Sequence, residues 1–234
     1  MRGRSNFTKD ACRSLGLPIP AVVETLPIQS SLAEPKKAKM QEWSIASVPM
    51  PIFLKRDQIW KLGLLKPQLE LVVDNQTLAA IANGVASVTN EFYRAPLDRI
   101  RQRLYLLYHR HFDYKGGFLD PIDWRPREYN TAADHVANCV LAHRIDYDTL
   151  RMEDLQASIP HCIGLQVFTD GGYVNGLGAA AAVFNVVSAS NGMFHSSLMG
   201  VCGQYMSSAQ SAFHAEVTAL DLALDAISKA VGIS

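Results

Sequence analysis

The sequence predicts an α/β protein in which helices flank a mixed β-sheet. Three observations support this class. After residue 66, short β-type runs alternate with helical patterns; a strand-rich stretch extends from 163 to 205; and a helix with a regular apolar stripe follows it. With 234 residues and 48% hydrophobic side chains, the chain can bury the core of one domain. We therefore predict a folded domain over residues 67–234.

We predict that the first 66 residues form an irregular extension. This extension could bind a protein partner. They contain six of the 11 prolines and little periodicity. Their basic, serine-bearing start is only a faint indication of an organelle-targeting segment. No apolar run approaches 18 residues, so we expect no membrane span.

The domain itself predicts strands and helices in alternation. The apolar run 69–73 is typical of a strand buried on both faces. Leu78, Ile81 and Val85 recur at helical spacing, and a second helix is predicted to begin at Pro96, because proline favours the first helical position. Further strands are predicted over 118–124, 163–169, 178–188 and 193–205, and further helices over 131–141, 148–157 and 213–231. Five strands are expected in the sheet.

Charge and cysteine content bound the class of function. The 22 basic and 22 acidic residues cancel, which argues against binding of nucleic acid by bulk charge but permits a local basic patch. The cysteines show neither a CxxC pair nor zinc spacing; they are Cys12, Cys139, Cys162 and Cys202. We expect buried free thiols and an intracellular, reducing compartment, whether nucleus, cytoplasm or organelle.

Four carboxylates are the candidate catalytic groups. Asp74 and Asp170 stand at the carboxyl ends of predicted parallel strands, where α/β sheets form their sites; Asp134 and Glu216 stand in the first turns of predicted helices. Converging carboxylates raise one another's pKa unless a cation neutralises them, and hard oxygen ligands suit Mg²⁺ or Mn²⁺. Two such ions, about 3.5–4 Å apart, can support phosphodiester cleavage. Taken singly, an Asp after a strand is more often a turn or cap residue.

The sequence around these carboxylates resembles the motifs of ribonuclease H domains of the retroelement type. Thr-Asp170-Gly-Gly, with a glycine-bearing hairpin over 173–178, resembles the first motif, and His-Ala-Glu216-Val-Thr-Ala-Leu the second. Val-Val-Asp74-Asn-Gln resembles the third, and Asn130-Thr-Ala-Ala-Asp134 the last. The resemblance covers residues 67–144 and 163–231. It implies that Asp170, Glu216, Asp74 and Asp134 are catalytic metal ligands, and that the reaction is hydrolysis of the RNA strand of an RNA–DNA hybrid.

The motifs occur in the order third, fourth, first, second, which predicts a circularly permuted ribonuclease H-like fold. The resemblance implies that the strand ending at Asp170 lies beside the strand ending at Asp74. The 20 residues that join the two motif pairs can span at most ~66–72 Å, which is ample across a small domain. The alternative is a chain whose halves are completed by a partner, so we expect either a monomer or a domain-swapped dimer.

Hybrid recognition requires contacts to 2′-hydroxyls and phosphates. By position, the candidate substrate contacts are Gly171, Gly172, Asn75, Gln76, Asn130, Arg125 and Arg127. Arg99, Arg103, Arg110 and Lys115 could extend a cationic surface, although for the arginines of the helix we slightly favour a solvated face. Trp124 occupies a position where many members carry a histidine. Because Trp cannot shuttle protons, we expect slower turnover.

Two other functions stay open. A catalytically inactive, retroelement-derived domain could serve as a structural subunit of a larger complex. A nuclease or transposase of the same fold could act on DNA and would not require a 2′-hydroxyl.

Overall fold

The computed structural model describes residues 66–114, 121–190 and 193–233. Seven strand segments form one mixed sheet in these ranges: β1 (Gln68–Val73), β2 (Asp113–Tyr114), β3 (Ile122–Trp124), β4 (Tyr147–Asp148), β5 (Gly164–Val174), β6 (Leu177–Ser190) and β7 (Met193–Met206). Their order is β2-β1-β5-β6-β7-β4, and β3 pairs with β1 beyond β2. The predicted α/β class with a mixed sheet is confirmed.

The sheet has a parallel half and an antiparallel half. β1 runs parallel to β2, β3 and β5, whereas β5, β6, β7 and β4 pair antiparallel. Asn175 and Gly176 connect β5 to β6 with φ angles of 50° and 83°. Two successive residues of positive φ are typical of the tight hairpin turn that Asn-Gly favours, so the predicted glycine-bearing hairpin is confirmed.

Helices cover both faces of the sheet. They are α1 (Gln76–Ala82), α2 (Glu91–Arg110), α3 (Thr131–His143), α4 (Met152–Ser158) and α5 (Ala212–Ala230). The larger core joins α1, α2, α4 and α5 to β1 and β5. On the opposite face, α3 packs its alanine and valine side chains on β6 and β7. The sheet is thus the middle of three layers.

Two predictions about the elements were wrong. α2 begins at Glu91 and not at Pro96, because the Asn90 side chain caps it by accepting a hydrogen bond of 3.0 Å from the N–H of Phe92. The sheet has more than five strand segments, because two-residue strands β2 and β4 add to the predicted ones. Such short strands carry too little periodicity to be seen in a sequence.

Several expectations fall outside the described residues, namely the extension up to residue 65 and the turn at 115–117. Within the described part, Cys139 and Cys162 are buried and Cys202 is half-buried, and none of the three forms a disulfide. No helix in that part has the length and apolar character needed to cross a bilayer.

Candidate functional site

Three carboxylates from distant parts of the chain meet at one edge of the sheet. Asp74 directly follows β1, Asp170 lies in β5, and Glu216 lies in the first turns of α5. One carboxylate oxygen from each residue lies within 4.8 Å of the others. The pairing of Val73 with Thr169 explains the meeting of the two aspartates, because parallel neighbours deliver their next residues to the same edge. A single chain therefore brings these groups together.

Gly171 brings Glu216 to the cluster. A Cβ atom at this position would lie 2.2 Å from the backbone nitrogen of Glu216 and 2.4 Å from the carbonyl carbon of Ala215. Only glycine permits this approach of α5 to β5. Ser211 fixes the start of α5, where its hydroxyl accepts a 3.1 Å hydrogen bond from the N–H of His214.

Both glycines after Asp170 lie against helices on the side where a Cβ atom would stand. Gly171 packs against α5, and a Cβ atom at Gly172 would meet Leu141 of α3 at 3.6 Å. The two residues face opposite sides of the sheet, as successive residues of a strand must. These glycines thus let helices pack on either face of β5, and their predicted contacts to substrate stay a prediction.

Burial dominates the electrostatics of the cluster. Asp170 is 3% exposed and Glu216 is 8% exposed. Burial, together with the charges of Asp74 and Asp134, raises the pKa of Asp170 to about 7. Burial also raises the pKa of Glu216 to about 9, with contributions from the Asp170 and Asp74 charges. Burial is likewise the main cause that raises the pKa of Asp74. At neutral pH the cluster therefore retains protons that a cation would displace.

The donor set fits a hard divalent cation. Among the described residues, Oε2 of Glu216 is buried and has no hydrogen-bond partner. Leaving a buried carboxylate oxygen unpaired is costly unless a ligand occupies the place beside it. Oxygen ligands alone favour Mg²⁺, Ca²⁺ or Mn²⁺ over softer metals. A cation held by Asp74, Asp170 and Glu216 would neutralise the converging carboxylates and would give the buried Oε2 of Glu216 a partner.

Asp134 lies beside the cluster but outside its ligand set in the described structure. Its charge acts on both Asp74 and Asp170, whose pKa values it raises. Its oxygens are engaged elsewhere: the Arg127 guanidinium pairs with Oδ1, and the side-chain amide of Asn138 donates to Oδ2 at 3.1 Å. Of the four predicted metal ligands, the structure groups three where they could hold one ion, and it engages the fourth, Asp134, with protein donors.

Arg127 is the counter-charge of the site. It lies in a single 3₁₀ turn (Arg127–Tyr129) before α3, and its side chain is 69% exposed. Its positive charge lowers the pKa of Asp74, Asp170 and Glu216. The sequence predicted that Arg127 contacts the substrate, and it did not reveal the pairing of Arg127 with Asp134. Nor did it find Asn138, although its position one helical turn after Asp134 was a usable signal.

Three other predicted substrate contacts serve the fold. The Asn75 side chain caps α1 by accepting a 3.0 Å hydrogen bond from the N–H of Leu78. Asn130 is fully buried and donates to the carbonyl of Thr169 at 2.8 Å. Arg125 pairs with Glu70 and with Asp123, the latter at 2.9 Å.

The surroundings of the site leave Gln76 and Trp124 accessible. Both line a cavity of about 580 Å³ between α1 and β3. The indole N–H of Trp124 donates to the main-chain carbonyl of Asp74 at 3.0 Å, and the residue is 43% exposed. Trp124 therefore lies beside the cluster, at the mouth of an open space.

Arg99 and Arg103 of α2 connect two helices. Arg103 pairs with Asp221 at 2.7 Å and with Asp225 at 3.0 Å, and Arg99 pairs with Asp221 at 3.4 Å. These pairs join α2 to α5. Arg99 and Arg103 are therefore part of the packing between helices, and an unpaired cationic surface at these two positions is not observed.

The structure thus shows a group of carboxylates at the edge of a mixed sheet, with a paired arginine beside them. No family model matches the chain, and comparisons with curated proteins and with solved structures give no match.

Proposed function

We propose that this protein is a metal-dependent phosphodiesterase of the ribonuclease H type that hydrolyses the RNA strand of RNA–DNA hybrids. One observation carries the proposal. Asp74, Asp170 and Glu216 converge within 4.8 Å at the sheet edge where the motif resemblance requires them to meet. The unpaired, buried Oε2 of Glu216 adds an independent reason to expect a cation there.

The neighbourhood of the strands supports the permuted form of that fold. The strand that delivers Asp170 pairs directly with the strand that delivers Asp74, as the resemblance implies. α5, which carries Glu216, packs on the same part of the sheet through a buried stripe that includes Leu220, Leu224 and Ile227. Non-covalent packing thus takes the place of the missing connection from α5 to β1.

The chain's own residues would contribute as follows. Asp74, Asp170 and Glu216 hold the cation, which, when bound, activates a water molecule and stabilises charge on the phosphodiester. The burial of Asp170 and Glu216 lowers the local dielectric constant and strengthens every charge interaction at that point. Trp124 and Gln76 present an aromatic face and an amide to the adjoining cavity, where a nucleotide could stack or accept a hydrogen bond.

Cleavage of a labelled RNA–DNA hybrid in the presence of Mg²⁺ tests the proposal, with DNA duplex and RNA duplex of the same sequence as controls. We expect cleavage of the RNA strand of the hybrid alone, and loss of cleavage when EDTA removes the metal. Absence of cleavage by protein shown to bind Mn²⁺ would favour the inactive structural subunit. Cleavage of the DNA duplex would favour the DNA-acting alternative.

A further inference from the structure

The pairing of Asp134 carries an inference about how many metal ions the site takes. Its Oδ1 is paired with the Arg127 guanidinium, and its Oδ2 accepts a 3.1 Å hydrogen bond from Asn138. Both oxygens are therefore occupied by donors from the protein. A cation that used Asp134 as a ligand would have to displace one of these donors or share its oxygen with it.

The position of Arg127 is fixed by the fold. The 3₁₀ turn that carries it ends at Asn130, whose side-chain amide donates to the carbonyl of Thr169 at 2.8 Å. Thr169 directly precedes Asp170 in β5. The turn is thus tied to the strand that delivers a metal ligand, and Asn130 is completely buried. Arg127 does not depend on a long mobile loop for its place beside the cluster.

The guanidinium acts on every carboxylate of the site. It pairs directly with Asp134, and its charge favours the ionised forms of Asp74, Asp170 and Glu216. An arginine remains protonated at any physiological pH, so this positive charge is permanent. A second divalent ion beside Asp134 would face this charge at close range, and two positive charges a few ångströms apart repel each other.

We propose that the site binds one divalent ion, held by Asp74, Asp170 and Glu216, and that Arg127 provides the second positive charge as a resident guanidinium paired with Asp134. The planar, two-pronged donor geometry of arginine suits both a carboxylate and a phosphate. Arg127 is 69% exposed at its side chain, so one edge of the group can meet an incoming phosphodiester. That last role rests on the proposed function, whereas the ion count does not.

Titration of the full chain with Mn²⁺ tests the ion count, with stoichiometry read by calorimetry and by the electron paramagnetic resonance of free Mn²⁺. We expect one ion in the native protein. Arg127→Leu removes the guanidinium and frees Asp134, so two ions are expected. Adding Asp134→Asn to Arg127→Leu should return the count to one. Arg125→Leu is the matched control: the side chain of this arginine pairs with Glu70 and Asp123, neither of which belongs to the cluster, and its loss should leave one ion.

Two ions in the native protein, or one ion in both the native protein and a folded Arg127→Leu variant, would overturn the inference. If Arg127→Leu does not fold, Asp134→Asn alone decides: the native ion count must persist, and loss of an ion contradicts the inference. The hybrid-cleavage assay on the same preparations separates the two proposals. One bound ion without cleavage refutes the proposed function only, whereas cleavage with two bound ions refutes the ion count only.

Discussion

At Gly171 the main chains of β5 and α5 approach so closely that no side chain fits between them. Gly171→Ala would place a methyl carbon 2.2 Å from the backbone nitrogen of Glu216, and backbone cannot rotate away as a flexible side chain can. We expect a loss of about 1–3 kcal/mol in the free energy of unfolding, the usual cost of overpacking. Mn²⁺ affinity should fall as well, because α5 carries Glu216.

Gly172→Ala is the matched control for this substitution. The added methyl would meet its nearest neighbour, Leu141, at the ordinary contact distance of 3.6 Å. Urea unfolding of both variants measures the difference. Equal stability of the two variants would show that the contact between Gly171 and α5 does not constrain the fold.

Substitution of Asp170 tests whether its carboxylate is needed for metal binding or for the stability of the fold. Burial and neighbouring negative charge raise its pKa to about 7, so the ionised carboxylate is disfavoured in the folded protein without metal. Asp170→Asn removes that charge at nearly constant shape. We expect Mn²⁺ affinity to fall by more than about 100-fold, since even residues that only support metal ligands cost up to that much.

Stability is the second readout for Asp170→Asn. The metal-free variant should melt at the same temperature as the native protein or higher, because a like-charge contact has been relieved. Hybrid cleavage should disappear. Marked unfolding would mean instead that the carboxylate serves the fold.

Among the elements, α5 depends on apolar packing for its place in the molecule. Leu220, Leu224 and Ile227 are completely buried against the main core. Leu224→Ala should lower the free energy of unfolding by about 2–5 kcal/mol, as truncation of a buried leucine does. The ion pairs from α2 contribute much less: Arg103→Ala should cost about 0.2–1 kcal/mol, because Arg103 and Asp221 are each more than 20% exposed.

Urea denaturation of the two variants measures this contrast. A cost for Arg103→Ala as large as that for Leu224→Ala would indicate that the bridge between α2 and α5 is the principal attachment of the helix. In either case, variants that loosen α5 should lose Mn²⁺ binding before they unfold globally, since Glu216 departs with the helix.

Most helices and strands could be predicted from the sequence, because they are long enough for their apolar residues to show a helical or strand periodicity. The stripe of α5 and the apolar run of β1 appear at the predicted places. The start of α2 was misplaced because proline at a first helical position and proline in a second turn look alike; the capping side chain of Asn90, six residues earlier, was the better signal. Two-residue strands show no period at all.

For the molecule as a whole, buried acidic groups make stability depend on pH. In the unfolded chain Asp170 and Glu216 titrate near their ordinary values of 3.8 and 4.5, whereas in the folded protein their pKa values are raised to about 7 and about 9. Between these values the folded state binds more protons than the unfolded state. The free energy of unfolding of the metal-free protein should therefore fall as pH rises from about 5 to 9.

Bound metal should oppose this trend. Ionised carboxylates bind cations more tightly, so Mg²⁺ affinity increases over the same pH range and the bound ion stabilises the folded state. Thermal melts at pH 5, 7 and 9, with and without Mg²⁺, measure both effects. Glu216→Gln is the control: it should remove much of the fall in stability between pH 7 and 9. A metal-free protein that becomes more stable towards pH 9 would contradict the buried acidic cluster.

The sequence predicts some residues of the site and not others. Asp74, Asp170 and Glu216 were identified because residue type, flanking motif and strand ends agree on them, and the structure brings them together. The packing of Gly171 against α5 and the pairing of Arg127 with Asp134 were not predicted. Both are contacts between segments far apart in the chain or across a turn, and spacing in sequence carries no information about which partner a side chain meets.

The hydrogen bond between the Trp124 indole and the carbonyl of Asp74 has an optical consequence. Trp43 and Trp60 lie in the segment before residue 66, so Trp124 is the indole fluorophore within the described part of the chain, and it lies beside the acidic cluster. A paramagnetic ion such as Mn²⁺ quenches the fluorescence of a nearby indole, whereas diamagnetic Mg²⁺ does not. The protein thus carries its own dye-free indicator, by which occupancy of the centre can be followed in real time while substrate is added.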